Sequence, residues 1–351
     1  MVRLSVSGQT IEGGPQPHPV YGDQLQNRGM PGRVPAEGRV VVAYSPREVS
    51  FADGERVILR VPTLRFEDLQ FGELGPDIMT SPRIAPALVG LGLLEAVPEA
   101  AILQLAAQQT PDVRGKPNHV WDYEDGQTVV GRFGWKANQP SVRQEVAAAF
   151  LGDIGATSSI FEDQNCPAAQ QACRNVPTAK KCIGDACSGN YRPEVTASRL
   201  TNITRYLQLL AVPARRNLAD VARGEALFAN AKCNACHVAD LRTGDKAAIA
   251  AAANITFHPY TDLLLHDMGE GLADGRPDFH ASGREWRTAP LWGIGLLRII
   301  NGHTDLLHDG RARDVTEAIL WHAGQAAKSR EAFRTMAKGE RDAPVRFVES
   351  L

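Results

Sequence analysis

Gly224-Glu-Ala-Leu-Phe-Ala-Asn-Ala-Lys-Cys233-Asn-Ala-Cys236-His237 is the stretch from which the rest of the chain is read. It ends in Cys-x-x-Cys-His, the attachment signature of a c-type haem. Two cysteines three positions apart on one turn can both reach the vinyl groups of a porphyrin. The adjacent histidine then comes under the iron as a proximal ligand. The residues before it predict an amphipathic helix that offers Leu227 and Phe228 to the porphyrin edge. Two other readings compete: a thioredoxin-like redox pair, which wants a βαβ setting not seen here, and half of a zinc site, which lacks a second pair. A chance motif in a haemless binding module also remains on the page.

Working outward, helical patterns are expected at Leu218 to Ala229 and Ala197 to Ala211, and further back at Val142 to Leu151 and Pro98 to Gln108. The tail from Val315 reads as two or three short helices, and Asp267 to Gly283 as a Gly- and Asp-rich loop. The first eighty residues are different. Met1 to Gly8 alternates as a strand with Val2, Leu4 and Val6 on one face, and Arg39 to Tyr44 and Arg56 to Val61 flank the turn Ala52-Asp53-Gly54. The expected fold is mainly α with an N-terminal β-rich section and cytochrome c-like domains, the first incomplete.

An internal repeat sets the organisation. Arg83-Ile-Ala-Pro-Ala-Leu-Val-Gly-Leu-Gly-Leu-Leu94 recurs as Arg287-Thr-Ala-Pro-Leu-Trp-Gly-Ile-Gly-Leu-Leu297 with one residue dropped. Gly131-Arg132 and Ser141 to Val146 then echo Gly310-Arg311 and Asp314 to Ile319. Only the second copy has an attachment motif ahead of it. The expected domains are a β-rich section at 1–80, the remnant of a first haem domain at 81–212, and a complete one at 213–351.

With 351 residues, a net charge of −2 and 22% charged residues, nothing favours nucleic acid or an anionic membrane as partner. No apolar run is long enough to span a bilayer. Cys166, Cys173, Cys182 and Cys187 crowd a polar loop at 157–193 with spacings that match no common zinc pattern. Two disulfides in an oxidising compartment are expected, with three pairings open. Haem is attached outside the bacterial cytoplasm, so a secretory signal is expected upstream of Met1. The expected location is the periplasm.

The sixth iron position is open. Met268, in Leu265-His-Asp-Met-Gly269, is the favoured ligand because glycines let that loop approach closely. His266, His303 and His308 compete, and Met336 reads as core. Arg287, Arg311 and Arg313 are candidates for the haem propionates, since a guanidinium matches a carboxylate bidentately.

These stretches resemble the di-haem oxidoreductase family, often labelled thiol oxidoreductases, distant relatives of di-haem cytochrome c peroxidases and of the MauG type. The resemblance rests on Pro82 to Ala96, Gly131-Arg-Phe-Gly-Trp-Lys-Ala-Asn-Gln-Pro-Ser141, Pro259-Tyr-Thr-Asp-Leu-Leu-Leu-His-Asp-Met-Gly269, Ser282-Gly-Arg-Glu-Trp-Arg287 and Leu307-His-Asp-Gly-Arg311. It implies two haem domains, the N-terminal haem reacting with peroxide and the C-terminal one relaying electrons from a donor protein. Cys233, Cys236 and His237 would hold the relay haem, and Trp135 resembles the tryptophan between the haems. A calcium ion between domains is also implied, without ligands that this sequence places. The chain departs from the family in having one attachment motif. A mono-haem electron carrier and a MauG-like enzyme that modifies a partner protein are therefore the rival readings. "Thiol" finds no support, since the one Cys-x-x-Cys pair is taken by haem.

Overall fold

The computed structural model describes residues 1–176 and 193–351. Among these residues are ten α-helices and eleven strands, so the content is mixed rather than mainly α. The strands come in small antiparallel sheets. Strand Val2–Gln9 pairs with Met79–Pro82 on one side and Pro15–Gln16 on the other. Val2 and Leu4 are buried with Tyr21, Leu25 and Leu74, as alternation requires. Val6, expected on that same face, is only partly buried.

The two predicted strands around Ala52-Asp53-Gly54 form one long hairpin, Arg39–Ser50 against Arg56–Glu67. Its two ends serve different cores. Val40, Leu64 and Phe66 pack on the Leu4 cluster, whereas Phe51 and Leu59 pack with Trp286, Trp321 and Phe333 near the C-terminus. At the tip, Arg341 is paired with both Asp53 (2.8 Å) and Glu55 (2.6 Å). The β section thus straps onto residues more than two hundred positions away.

The predicted helices form at Glu99–Gln108, Val142–Ile154, Ala197–Leu209 and Val221–Asn230, and the tail folds as Val315–Trp321, Ala327–Thr335 and Lys338–Ser350. The first three pack around a core of Leu94, Ile102, Val142, Val146 and Leu200 that also holds Phe133 and Trp292. Helix Val221–Asn230 crosses Lys338–Ser350 so closely that a Cβ on Gly224 would collide with the carbonyl of Ala343. One turn along, the rings of Phe228 and Phe347 meet edge to face with centroids 5.3 Å apart. Burying each phenyl ring contributes roughly 1.5–3 kcal/mol.

The repeat is realised as a repeated contact. Gly90 and Gly293 both take left-handed backbone, with φ of 71° and 75°, at the start of a short helical turn. The Gly90 amide donates to Leu210 O and the Gly293 amide to Leu351 O, each carbonyl one residue past a helix end. Two residues on, Gly92 lies bare against the carbonyl of Gln208 and Gly295 against that of Glu349. Downstream, Ser141 caps Val142–Ile154 by accepting from the Gln144 amide, and Asp314 caps Val315–Trp321 by accepting from the Glu317 amide.

Candidate functional site

Helix Val221–Asn230 stops at Lys232, which turns left-handed with φ of 62°, and a 3₁₀ turn over Cys233–Ala235 follows. The His237 amide closes that turn on Cys233 O at 3.0 Å. The turn sets Cys233 and Cys236 together with both thiols free and partly exposed. Cys233 borders the Phe228, Tyr260 and Phe347 cluster, and burial pushes its thiol up to about 12.

His237 Nδ1 lies 2.9 Å from the carbonyl of Tyr260. A carbonyl can only accept, so Nδ1 carries the proton and Nε2 keeps its lone pair. Burial is the main reason that the imidazole is pushed down to about 4, which keeps it neutral near pH 7. Tyr260 is itself fixed by its hydroxyl, which donates to Glu225 at 2.9 Å, and it takes φ of 54° in a tightly wound segment. The next turn holds a buried pair: Asp262 Oδ2 accepts from His266 Nε2 at 2.8 Å and from Gln109 at 2.7 Å. His266 Nδ1 lies 3.5 Å from Cys236 Sγ. Burial opposes the charge on His266, but Asp262 and the Cys236 sulfur outweigh it and hold the imidazole up to about 10. Two thiols and an uncommitted imidazole nitrogen on one turn are the groups that could bond a porphyrin covalently and ligate its iron.

A family model described as "Di-haem oxidoreductase, putative peroxidase" matches residues 6–351. The chain belongs to this family. No curated protein and no solved structure matches it. For a di-haem oxidoreductase a haem-based redox role follows, and the other expected site residues are placed as follows.

Trp135 joins the two copies of the repeat. Its indole N–H donates to Ile84 O at 2.8 Å, and its own carbonyl accepts from the Arg287 amide at 2.9 Å. Arg287 is buried with no carboxylate partner among the described residues; its Nε donates to Gly134 O, and burial lowers it to about 10. Arg311 is already committed, with Asp309 across its fork at 2.7 and 2.8 Å and its plane 4.7 Å from the Trp321 ring. Arg313 is likewise paired, with Glu317. Met268 packs its side chain with the Trp286 and Trp321 cluster. His308 is buried and stacked on Trp286 at 3.6 Å, and His303 stands partly exposed at the surface. Met336 packs on the same cluster as Met268.

Cys166 and Cys173 form a disulfide, one of the open pairings. Cys182 and Cys187 lie outside the described residues. Among the described residues one group of three metal-binding side chains converges, Cys236, Asp262 and His266. A thiol and an imidazole make it unsuited to calcium, which takes oxygen ligands. No helix among the described residues is long and apolar enough to cross a membrane.

Sequence reasoning missed two features. Lys136 is fully buried, its ammonium bonded to Asp274 Oδ1 (2.8 Å), Arg276 O (2.7 Å) and Ser282 O (2.8 Å) and 4.4 Å from the Trp286 ring. A lysine in Gly-Trp-Lys-Ala reads as a surface residue. His322 was missed too. The signal for it was its helical spacing from Val315 and Ile319, which place it on an inward face.

Proposed function

We propose that this chain is a c-type haem protein in which Cys233 and Cys236 bond the porphyrin and His237 Nε2 is the proximal ligand. The bond from His237 Nδ1 to Tyr260 O carries the reading, because it fixes the tautomer that an iron ligand requires. Each thioether forms by addition of S–H across a vinyl double bond, so the attachment leaves no group oxidised or reduced. Haem held there supplies a reversible one-electron couple.

The chain's own residues bind, orient and exclude water. Phe228, Tyr260 and Phe347 form the apolar wall beside His237. Arg287 is the propionate partner supported best, since a buried guanidinium with only carbonyl acceptors gains most from an anion. Arg311 is the weaker candidate, because Asp309 already occupies it. Trp135 is the proposed link between haems, supported by its bonds to both repeat copies.

Within the family's oxidoreductase role, the finer reading is electron relay. The C-terminal unit, 213–351, would be a cytochrome c-like domain that takes electrons from a donor protein for a second, peroxide-reacting haem. The repeated glycine contacts support 81–212 as a remnant of the same fold, with 1–80 as the β section. A periplasmic location is supported by the Cys166–Cys173 disulfide. The second reading is a mono-haem electron carrier, favoured by the single attachment motif in this chain.

The test is a pyridine haemochrome spectrum after expression with c-type maturation and export. A c-type α-band at one haem per chain that survives acid–acetone extraction is expected. Folded protein without covalent haem would overturn the proposal. A second Cys-x-x-Cys-His in sequence upstream of Met1 would remove the mono-haem reading.

A further inference from the structure

Resting on that haem reading, we propose that His322 is the second axial ligand of the iron and that Met268 is a packing residue. The titratable groups near enough to act electrostatically on the His237 ring are His322, Asp262 and His266. Asp262 and His266 are bonded to each other, and the second nitrogen of His266 lies against Cys236 Sγ. His308 is stacked on Trp286 and faces Arg311, Arg83 and Lys136 instead. His303 Nδ1 accepts from the Asp305 amide at the surface. His322 is left.

Its mounting matches that of His237. His322 Nδ1 lies 2.7 Å from Ala318 O, so it carries the proton and Nε2 keeps the lone pair. Val315 and Ile319 share one face of helix Val315–Trp321, and His322, the cap residue that ends it, continues their i, i+4, i+7 spacing. Val315 and Ile319 pack into the cluster of Phe228, Tyr260 and Phe347, the wall that His237 stands against. The helix that carries His322 thus borders the proximal pocket, and Met268 is not a member of that cluster.

The chain after His322 is clamped. The Asp267 amide donates to Gln325 Oε1 at 2.9 Å, and Gly324 takes φ of 54° with no room for a Cβ beneath Asp267 O. Two imidazoles close the iron to peroxide and set a lower potential than imidazole with thioether. Closure to peroxide suits a relay.

The experiment uses the haem-loaded full chain and reads spin state, charge-transfer bands and potential. The ferric wild type should be low-spin without the red-region charge-transfer band of a methionine-ligated haem, a result that needs no variant. His322→Ala should turn it high-spin, and added imidazole should restore the low-spin spectrum. His322→Met should recover six-coordination at a higher potential, and Met268→Leu should change none of these. A high-spin ferric wild type, or loss of the low-spin spectrum in Met268→Leu but not His322→Ala, would overturn the assignment. Absence of covalent haem in the pyridine assay marks failure of the haem reading itself. Covalent haem whose spin state ignores His322 marks failure of the ligand assignment alone.

Discussion

The repeat copy at Arg83–Leu94 and the one at Arg287–Leu297 share a backbone and differ in what they enclose. Each has a left-handed glycine whose amide caps a helix end, a bare glycine against a helix carbonyl, and a capped helix downstream. The first surrounds a mixed core in which Leu94, Ile102, Val142 and Leu200 pack with Phe133 and Trp292. The second borders an aromatic wall and, beside it, His237 with an uncommitted Nε2. The glycine device therefore belongs to the path of the chain in both copies. The site chemistry belongs to the helix and turn ahead of the second copy, Val221–Asn230 and Cys233–Ala235.

The joint between the copies should be the most sensitive point. Lys136→Met would leave Asp274, whose Oδ2 has no partner, buried without its cation. A loss of about 3–5 kcal/mol in urea unfolding is expected, the range for breaking a buried pair. An unchanged midpoint would show that the ammonium does not hold the joint.

Gly92→Val and Gly295→Val separate scaffold from site. Both should cost at least about 1–3 kcal/mol, since each side chain meets a carbonyl rather than a pliable side chain. Only Gly295→Val should also lower haem occupancy, because helix Lys338–Ser350 carries Phe347 against Phe228. Equal haem loss in both variants would break the distinction drawn between the copies. The smallest effect belongs to the caps: Ser141→Ala and Asp314→Ala should each cost about 1 kcal/mol by thermal unfolding. A cost at one position alone would mean that the downstream helices are not equivalent.

The attachment turn and the repeat were legible because short-range geometry dictates both. Cys-x-x-Cys-His needs one turn of chain, and a left-handed position favours glycine. The helix Ala197–Leu209 was legible from periodicity. The hairpin was legible in place but not in reach, because Phe51 and Leu59 are buried by residues more than two hundred positions away. The N-terminal β-rich section was legible, but the mixed content beyond it was not: two- and three-residue strands such as Leu241–Arg242 and Glu285–Arg287 form through tertiary contact, not pattern. Lys136 reads as a surface cation until Asp274 and two carbonyls close around it. Arg311 looked like Arg287 in sequence, and only the structure shows one fork filled by Asp309 and the other facing carbonyls.

Proteolytic mapping of the matured protein by mass spectrometry tests the central claim most directly. The account predicts one haem, carried by the single peptide that contains Cys233, Cys236 and His237, and its loss in Cys233→Ala/Cys236→Ala. Haem that washes free of that peptide, or that stays bound in the double variant, would contradict it.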